Sequence, residues 1–419
     1  MLIILFLIFI QVLLLLFVKT KIYGPFKVLI GYNILFIALR YFYIDFNPDY
    51  FGLTSNEVFT TTLILITSTL FLSFIALYFE LKFLNQSDAK NTCNIGYQWK
   101  ELIAADLILI IGVLCFVLTC IVRTVKFGFI IQTDWTTDVW AGLYILKIPM
   151  YCVLISVIFH YHYGFLIRSF FGLFLLFGLF IIDTERQPIF LMIISFAAYF
   201  IATQKLPLLK LFVLSPLLPL LFYWLTLRRF YEYTLVEAIV ATNQIFKDGI
   251  LTDVFNFAYG RYFQLETTYL LFSSNASELK NQFNTVIWTL QSIFPFDFGR
   301  DPISLTQLVC VSAAPGRWEE HVSCWAYYPG IMFFDMSYFG LIIAFLSLLF
   351  LYYFWSKAVY SKRIFIFAIF AFYLPTFLFH LNWTIATFFE IAYKSMYVGV
   401  IFYFTKLFVP ILSKKNNHE

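Results

Sequence analysis

The stretch "DTERQPIF" places Arg186 in a very short turn between two almost wholly apolar runs. A guanidinium held at that height by its neighbours presents a planar fork of donors suited to a phosphate or pyrophosphate. Pro188 suits the first turn of the helix that follows, because its missing N–H would be unpaired there anyway. The free amides of that helix then point toward the same place. The plainer readings are a salt bridge to Asp183 or Glu185, or a lipid headgroup contact. A second group lies in "APGRWEEHVS", where Arg317, Glu319, Glu320 and His321 fall within five residues. It supplies a cation for a phosphate and candidate general bases for a hydroxyl; a solvated loop is the alternative. Arg261, in "FNFAYGRYFQLETT", stands beside Gly260, which permits a bend or close approach. Further ionisable residues fall inside apolar runs: Lys147, close to Pro149; Glu390 and Lys394, spaced to pair on one helix face; and His160 and His162 in "FHYHYGF".

Something apolar must position these groups. The chain of 419 residues is 62% hydrophobic and 12% charged, with 55 Phe, 28 Tyr and 9 Trp. A soluble domain is nearer a quarter charged, so this is a polytopic membrane protein. The six Cys form no CxxC pair and no cluster with His, so no metal and no other cofactor is expected. Nothing points to nucleic acid. The first apolar run lacks a basic leader and a small-residue cleavage site, so it is read as a span.

Eleven spanning helices are predicted, at roughly 2–18, 26–44, 57–79, 101–122, 138–160, 165–182, 188–203, 207–226, 331–354, 364–380 and 385–405. The odd-numbered short loops and the C-terminus hold fifteen Lys and Arg; the even-numbered ones hold three, Arg123, Lys126 and Arg186. Cytoplasmic loops carry the excess of basic residues. This puts the N-terminus outside, the C-terminus in the cytoplasm and Arg186 outside.

The chain therefore divides into eight helices over 1–227, a large outer loop over 228–330, and three helices with a cytoplasmic tail over 331–419. In the loop, "YTLVEAIVATNQIF" and "ELKNQFNTVIWTLQSIF" repeat apolar residues at helical spacing and read as amphipathic helices. Cys310 and Cys324 lie near each other in sequence in an oxidising compartment, where a disulfide is plausible; two buried thiols are the alternative.

This layout resembles the bacterial O-antigen polymerases, the Wzy-type polymerases of oligosaccharide repeat units. The resemblance rests on the acidic, aromatic outer loop "YIDFNPDYFGLTSNEVF", the Arg-bearing turn "DTERQPIF", one large outer loop two-thirds along the chain, and "GIMFFDMSYFGLIIAFL" after it. It covers nearly the whole chain, mostly as architecture. Thr184 and Glu185 depart from the small residue and Ser that often precede the turn's Arg in the family. The resemblance implies an all-α, multi-pass inner-membrane enzyme with a GT-C-like glycosyltransferase architecture and a periplasmic site. It implies metal-independent transfer of a growing glycan from undecaprenyl pyrophosphate to the non-reducing end of an incoming lipid-linked repeat unit, with membrane lipids and a chain-length regulator protein as partners. On that reading Arg186, Arg261 and Arg317 hold pyrophosphate or glycan, and His321, Glu319 or Glu320 is the base. An O-antigen ligase, a repeat-unit flippase and a membrane acyltransferase are the rival readings. The acyltransferase would draw on His160 and His162.

Overall fold

The computed structural model describes residues 2–45, 52–88, 99–127, 144–183, 187–203, 264–273, 281–283, 287, 326–361, 363–379 and 394–407. Among them the regular structure is helix throughout, with no strand. That is what a chain with this much apolar surface requires. In hydrocarbon every backbone N–H and C=O must be paired internally, and a helix pairs them within one segment.

The helices are α1 (Leu2–Phe17), α2 (Pro25–Tyr32), a π-helical turn (Asn33–Ala38), α3 (Leu39–Tyr43), α4 (Ser55–Asp88), α5 (Trp99–Phe127), α6 (Tyr144–His162), α7 (Leu166–Asp183), α8 (Gln187–Ala202), α9 (Gln264–Ser273), α10 (Tyr328–Val359) and α11 (Ile364–Phe379). A last helix, α12, covers residues 394–407. Among the described residues, four stretches are long and apolar enough to cross a bilayer: Pro25–Tyr43, Ser55–Asn85, Trp99–Val122 and Tyr328–Val359. Shorter apolar helices accompany them. Large apolar side chains such as Phe71, Phe174 and Phe350 are exposed while Arg40 is buried, the inverse of a soluble surface. The expected span at 207–226 lies outside the described residues, as does the amphipathic helix expected over 233–246. α4, α5 and α10 overrun their expected limits, so Arg123 and Lys126 ride on the last turns of α5 rather than in a loop.

Contacts divide the chain into two units. The first comprises Met1–Asn91, Phe255–Tyr360 and Leu378–Glu390; the second comprises Thr92–Val254, Ser361–Phe377 and Ile391–Glu419.

In the first unit, α1 and α2 pack on each other and on α4, α2 also meets α10, and α9 packs on α4 and α10. At one end, Gly24 begins α2 with an extended backbone and supplies no side-chain cap, and Pro25 follows. The acceptor comes from another helix: the Phe26 N–H donates to Glu80 Oε1 at 2.9 Å. The Tyr360 hydroxyl donates to Glu80 Oε2 at 3.0 Å, and the Trp355 indole donates to the Tyr23 carbonyl at 3.0 Å. A carboxylate at a helix N-terminus is favoured by the free amides and the dipole there. Burial pushes the Tyr23 hydroxyl up to about 12 and lowers the Lys21 ammonium, with Glu80 partly offsetting the loss. At the other end, α4 starts with half of a capping box. Its Glu half is present: the Thr54 N–H donates to Glu57 Oε2 at 2.7 Å, as in Thr-x-x-Glu, while the Thr54 hydroxyl donates to the same oxygen at 2.9 Å instead of accepting from the Glu57 N–H. The Ser55 hydroxyl, and the Ser55 N–H donating to Asp45 Oδ1 at 2.8 Å, hold the Asp45 carboxyl below the usual range.

α10 is broken. Ser337 has φ 53° and ψ −141°, a region that L-residues rarely occupy. The break removes the next-turn donors for the carbonyls of Phe334 and Asp335. Those carbonyls instead accept from the N–H groups of Asn281 and Phe283, at 3.1 and 3.3 Å. Gly340 lies against the Met332 carbonyl, where any Cβ would collide. The amphipathic helix expected over 278–294 is met only in part where it is described: residue 287 is helical, its N–H donating to the Phe283 carbonyl at 3.0 Å, and 281–283 are not helical. Asn281 and Phe283 have φ 60° and 57°, so that helix does not extend through 281–283. The segment turns its amides toward the broken helix instead.

In the second unit, α5, α6, α7 and α8 pack in succession, with α11 and α12 joined through Phe365, whose ring lies 5.9 Å from Phe159 and 5.7 Å from Phe402. α6 ends in a tight reversal. Gly164 takes φ +80°, the Phe165 N–H donates to the His160 carbonyl at 2.9 Å, and the Gly164 N–H donates to Tyr161 at 3.3 Å. Both bonds belong to the left-handed glycine cap that ends many helices. One end of this unit gathers the start of α5, the end of α6 and the starts of α7 and α11. Lys100, Arg168, Arg363 and, at the end of α12, Lys406 mark that end as basic; Glu101 and Asp106 are acidic residues near it.

Candidate functional site

Arg186, Arg261, Arg317, Glu319, Glu320 and His321 lie outside the described residues, as do Cys310 and Cys324 and the Glu390 partner expected for Lys394. The backbone flanking Arg186 is described. α7 ends at Asp183 and α8 begins at Gln187, so Pro188 falls in the first turn of α8 as its chemistry suggests.

What the structure does bring together in the first unit is Arg40, Glu266 and Tyr327. Arg40 comes directly after the π-helical turn Asn33–Ala38. One extra residue in a turn rotates everything beyond it by about 100°, and such bulges recur at functional positions. Here the turn precedes a fully buried guanidinium. Arg40 Nε donates to Glu266 Oε1 at 2.8 Å, and Arg40 Nη2 donates to the same oxygen. Glu266 is on α9, within the long loop segment between the eighth and ninth expected spans. Tyr327, just before α10, closes the cluster. Its N–H donates to Thr268 Oγ1 at 2.8 Å and its hydroxyl to the carbonyl of Phe36, inside the π turn, at 3.2 Å. Burial, with Glu266 nearby, drives the Tyr327 hydroxyl well above the usual phenol range. Apolar side chains surround the cluster, among them Ile37, Tyr41, Leu65 and Leu265.

An ion pair in such surroundings recovers its desolvation cost only with good geometry, and its best-attested use is to specify register. Chemically, the cluster fixes where the loop meets the helices. Arg40 and Glu266 were not singled out from sequence, although an Arg inside an apolar run is a functional hypothesis by default.

A second constellation forms in the other unit, around one of the two histidines noted above. His160 is fully buried. Its Nε2 lies 2.9 Å from Asp106 Oδ1 and its Nδ1 3.0 Å from Ser156 Oγ. Arg168 Nη1 donates to both Asp106 oxygens at 2.9 Å. One tautomer that serves both contacts has Nε2–H donating to Asp106 and Nδ1 accepting from the Ser156 hydroxyl. Such a chain can orient a histidine or relay a proton. His162 pairs separately with the Tyr199 hydroxyl at 3.0 Å. Lys394 is buried at the start of α12, its ammonium 5.8 and 5.7 Å from the rings of Tyr151 and Phe372. Among the described residues, no cluster of His, Cys, Asp or Glu has the makings of a metal site.

Compared with family models, with curated proteins and with solved structures, the chain matches none.

Proposed function

We propose that this chain polymerises lipid-linked oligosaccharide repeat units at the outer face of a bacterial inner membrane. It would move the growing glycan from undecaprenyl pyrophosphate to the non-reducing end of an incoming lipid-linked repeat unit, as a metal-independent glycosyltransferase. On this reading the helices make eleven spans with the N-terminus outside, in a GT-C-like arrangement, and the large loop shapes the site. The leaving group is already a pyrophosphate, so catalysis needs cations where charge develops more than it needs an acid. Arg186, Arg261 and Arg317 are proposed to supply them, and His321, Glu319 or Glu320 to take the proton of the acceptor hydroxyl. A chain-length regulator would be the protein partner.

The observation that carries the reading is the docking of the long loop onto the helices. α9 is pinned by Arg40–Glu266, and the backbone at Asn281 and Phe283 completes a broken helix. A transporter of repeat units gains nothing from so long a loop held in this way, and one built from two similar halves would show an internal repeat. A ligase shares the loop; the glycan profile of cells lacking the gene separates the readings. Single capped repeats without a ladder mean a polymerase. Loss of all surface repeats means a ligase or a flippase, and sinks the proposal.

The His160–Asp106–Arg168 chain favours one second reading, a membrane acyltransferase modifying the same polysaccharide. In that case the ladder would persist and only its acyl substituents would disappear.

A further inference from the structure

Among the described residues, the non-glycine positions with positive φ are Asn281, Phe283 and Ser337, and all of them meet at the break in α10. Backbone strain of this kind collects at clamps and switch regions. The contacts across the break show how far the helix turns. The Tyr328 hydroxyl lies 3.2 Å from Ser347 Oγ, 19 residues away, where a straight helix would set the two backbones about 28 Å apart. Gly340 backs onto the Met332 carbonyl, and the Phe333 ring lies 5.6 Å from that of Tyr338. α10 is therefore a hairpin. A short arm, 328–336, lies back along a long arm, 338–359, and Ser337 is the turn between them.

The long arm alone rises about 33 Å, enough to cross a bilayer. The short arm is about 13 Å long, and its far end is tied through side chains. The Tyr327 N–H donates to Thr268 Oγ1, the Tyr327 hydroxyl donates to the Phe36 carbonyl, and the Tyr328 hydroxyl meets Ser347. Each of these bonds can break without unpairing a turn of the arm. At the Ser337 end the ties are backbone. The carbonyls of Phe334 and Asp335 belong to the arm and accept from Asn281 and Phe283, so the arm cannot swing while those bonds hold. A rigid helix that pivots on one strained residue, with a separate catch beside the pivot, has the parts of a hinged element.

We propose that the short arm of α10 is a lid, hinged at Ser337 and latched by the backbone of 281–283, that swings as a rigid helix and uncovers the buried Arg40–Glu266 pair. Tyr327, at its tip, is the residue that closes that cluster. The proposal rests on the geometry of the first unit and is independent of the polymerase reading.

The test is hydrogen exchange of the full-length protein in detergent micelles, read amide by amide with α4 as the reference. Tyr327→Phe removes one bond at the tip. Exchange at Tyr327, Asn281 and Phe283 should rise together, roughly three- to tenfold, as one net hydrogen bond requires. The amides of Met332, Phe333 and Phe334, within the arm, should keep their protection. Ser337→Gly removes the strain at the hinge and should slow exchange at Tyr327, at the far end of the arm, as well as at Asn281 and Phe283. Ser337→Val should speed it at the same amides, and where that protein fails to fold the other two substitutions carry the test. Loss of protection inside the arm along with Tyr327 would overturn the proposal, because the arm would then be fraying rather than swinging. Faster exchange at Tyr327 with Asn281 and Phe283 unmoved would overturn it too, as would a Ser337→Gly protein in which Tyr327 exchanges as before.

Discussion

Arg40 and Glu266 are separated by 226 residues, and neither is interpretable without the other. Removing one partner of a buried pair leaves an uncompensated charge and costs roughly 3–5 kcal/mol. Arg40→Met should therefore lower the unfolding temperature sharply in detergent, and Glu266→Leu should do the same. The double replacement should recover most of the loss, which a double-mutant cycle would read as strong coupling. Additive losses would mean the two side chains do not depend on each other. Arg186 is the contrasting case. Its type and setting were plain from "DTERQPIF", and the start of α8 at Gln187 agrees with the role given to Pro188. If it holds a pyrophosphate, Arg186→Ala should abolish the glycan ladder at matched protein level. Arg186→Lys should restore it in part, since Lys keeps the charge and loses the fork. Two charged hydrogen bonds of roughly 1.5–3 kcal/mol each are at stake, whereas an exposed structural pair is worth about 1 kcal/mol at most. A normal ladder in Arg186→Ala would end the assignment. The chemistry of Arg186 was legible because its neighbours in sequence define its setting. The partner of Arg40 was not, because tertiary packing selects it.

Among the elements, apolar runs gave reliable helices and poor limits. Nothing in a run of Phe, Leu and Ile marks where lipid ends, so α4 continues to Asp88 and α5 to Phe127. The cap at Thr54–Glu57 and the glycine at 164 follow local rules and could be read directly. The break at Ser337 could not: "GIMFFDMSYFGLIIAFL" has no proline, and Gly340 alone hints at close backbone approach. Periodicity also misled at 281–283, where pairing with a broken helix outweighs an apolar repeat. The break predicts an asymmetry between substitutions. Ser337→Gly relieves a backbone conformation costing on the order of 1–3 kcal/mol and should raise the unfolding temperature. Ser337→Val should lower it, and Gly340→Ala should lower it further because its Cβ meets the Met332 carbonyl. If Ser337→Gly destabilises as much as Ser337→Val, strain at this residue is not what shapes the helix.

At the scale of the molecule, the contacts group helix ends without saying which side of the membrane each group faces. Lys21, Glu80, Trp355 and Tyr360 meet at one end of the first unit. Arg40, Glu266 and Tyr327 lie toward the other. On the proposed topology the first group lies on the cytoplasmic side. A reporter enzyme fused after Lys415 should then be active only in its cytoplasmic form. Activity of the periplasmic form would invert the topology and move every proposed catalytic residue to the wrong face.

The carboxylate of Glu80 has a consequence in time. Its first partner, the Phe26 amide, is made before it; its second, the Tyr360 hydroxyl, lies 280 residues later. At a synthesis rate of about 5–20 residues per second, that gap is roughly 15–60 s. Over this interval the carboxylate has one of its two partners, while the first segment of the second unit, Thr92–Val254, is made. The first unit is begun first and finished almost last. A ribosome that stalls before Tyr360 leaves Glu80 half satisfied, a state open to membrane quality control.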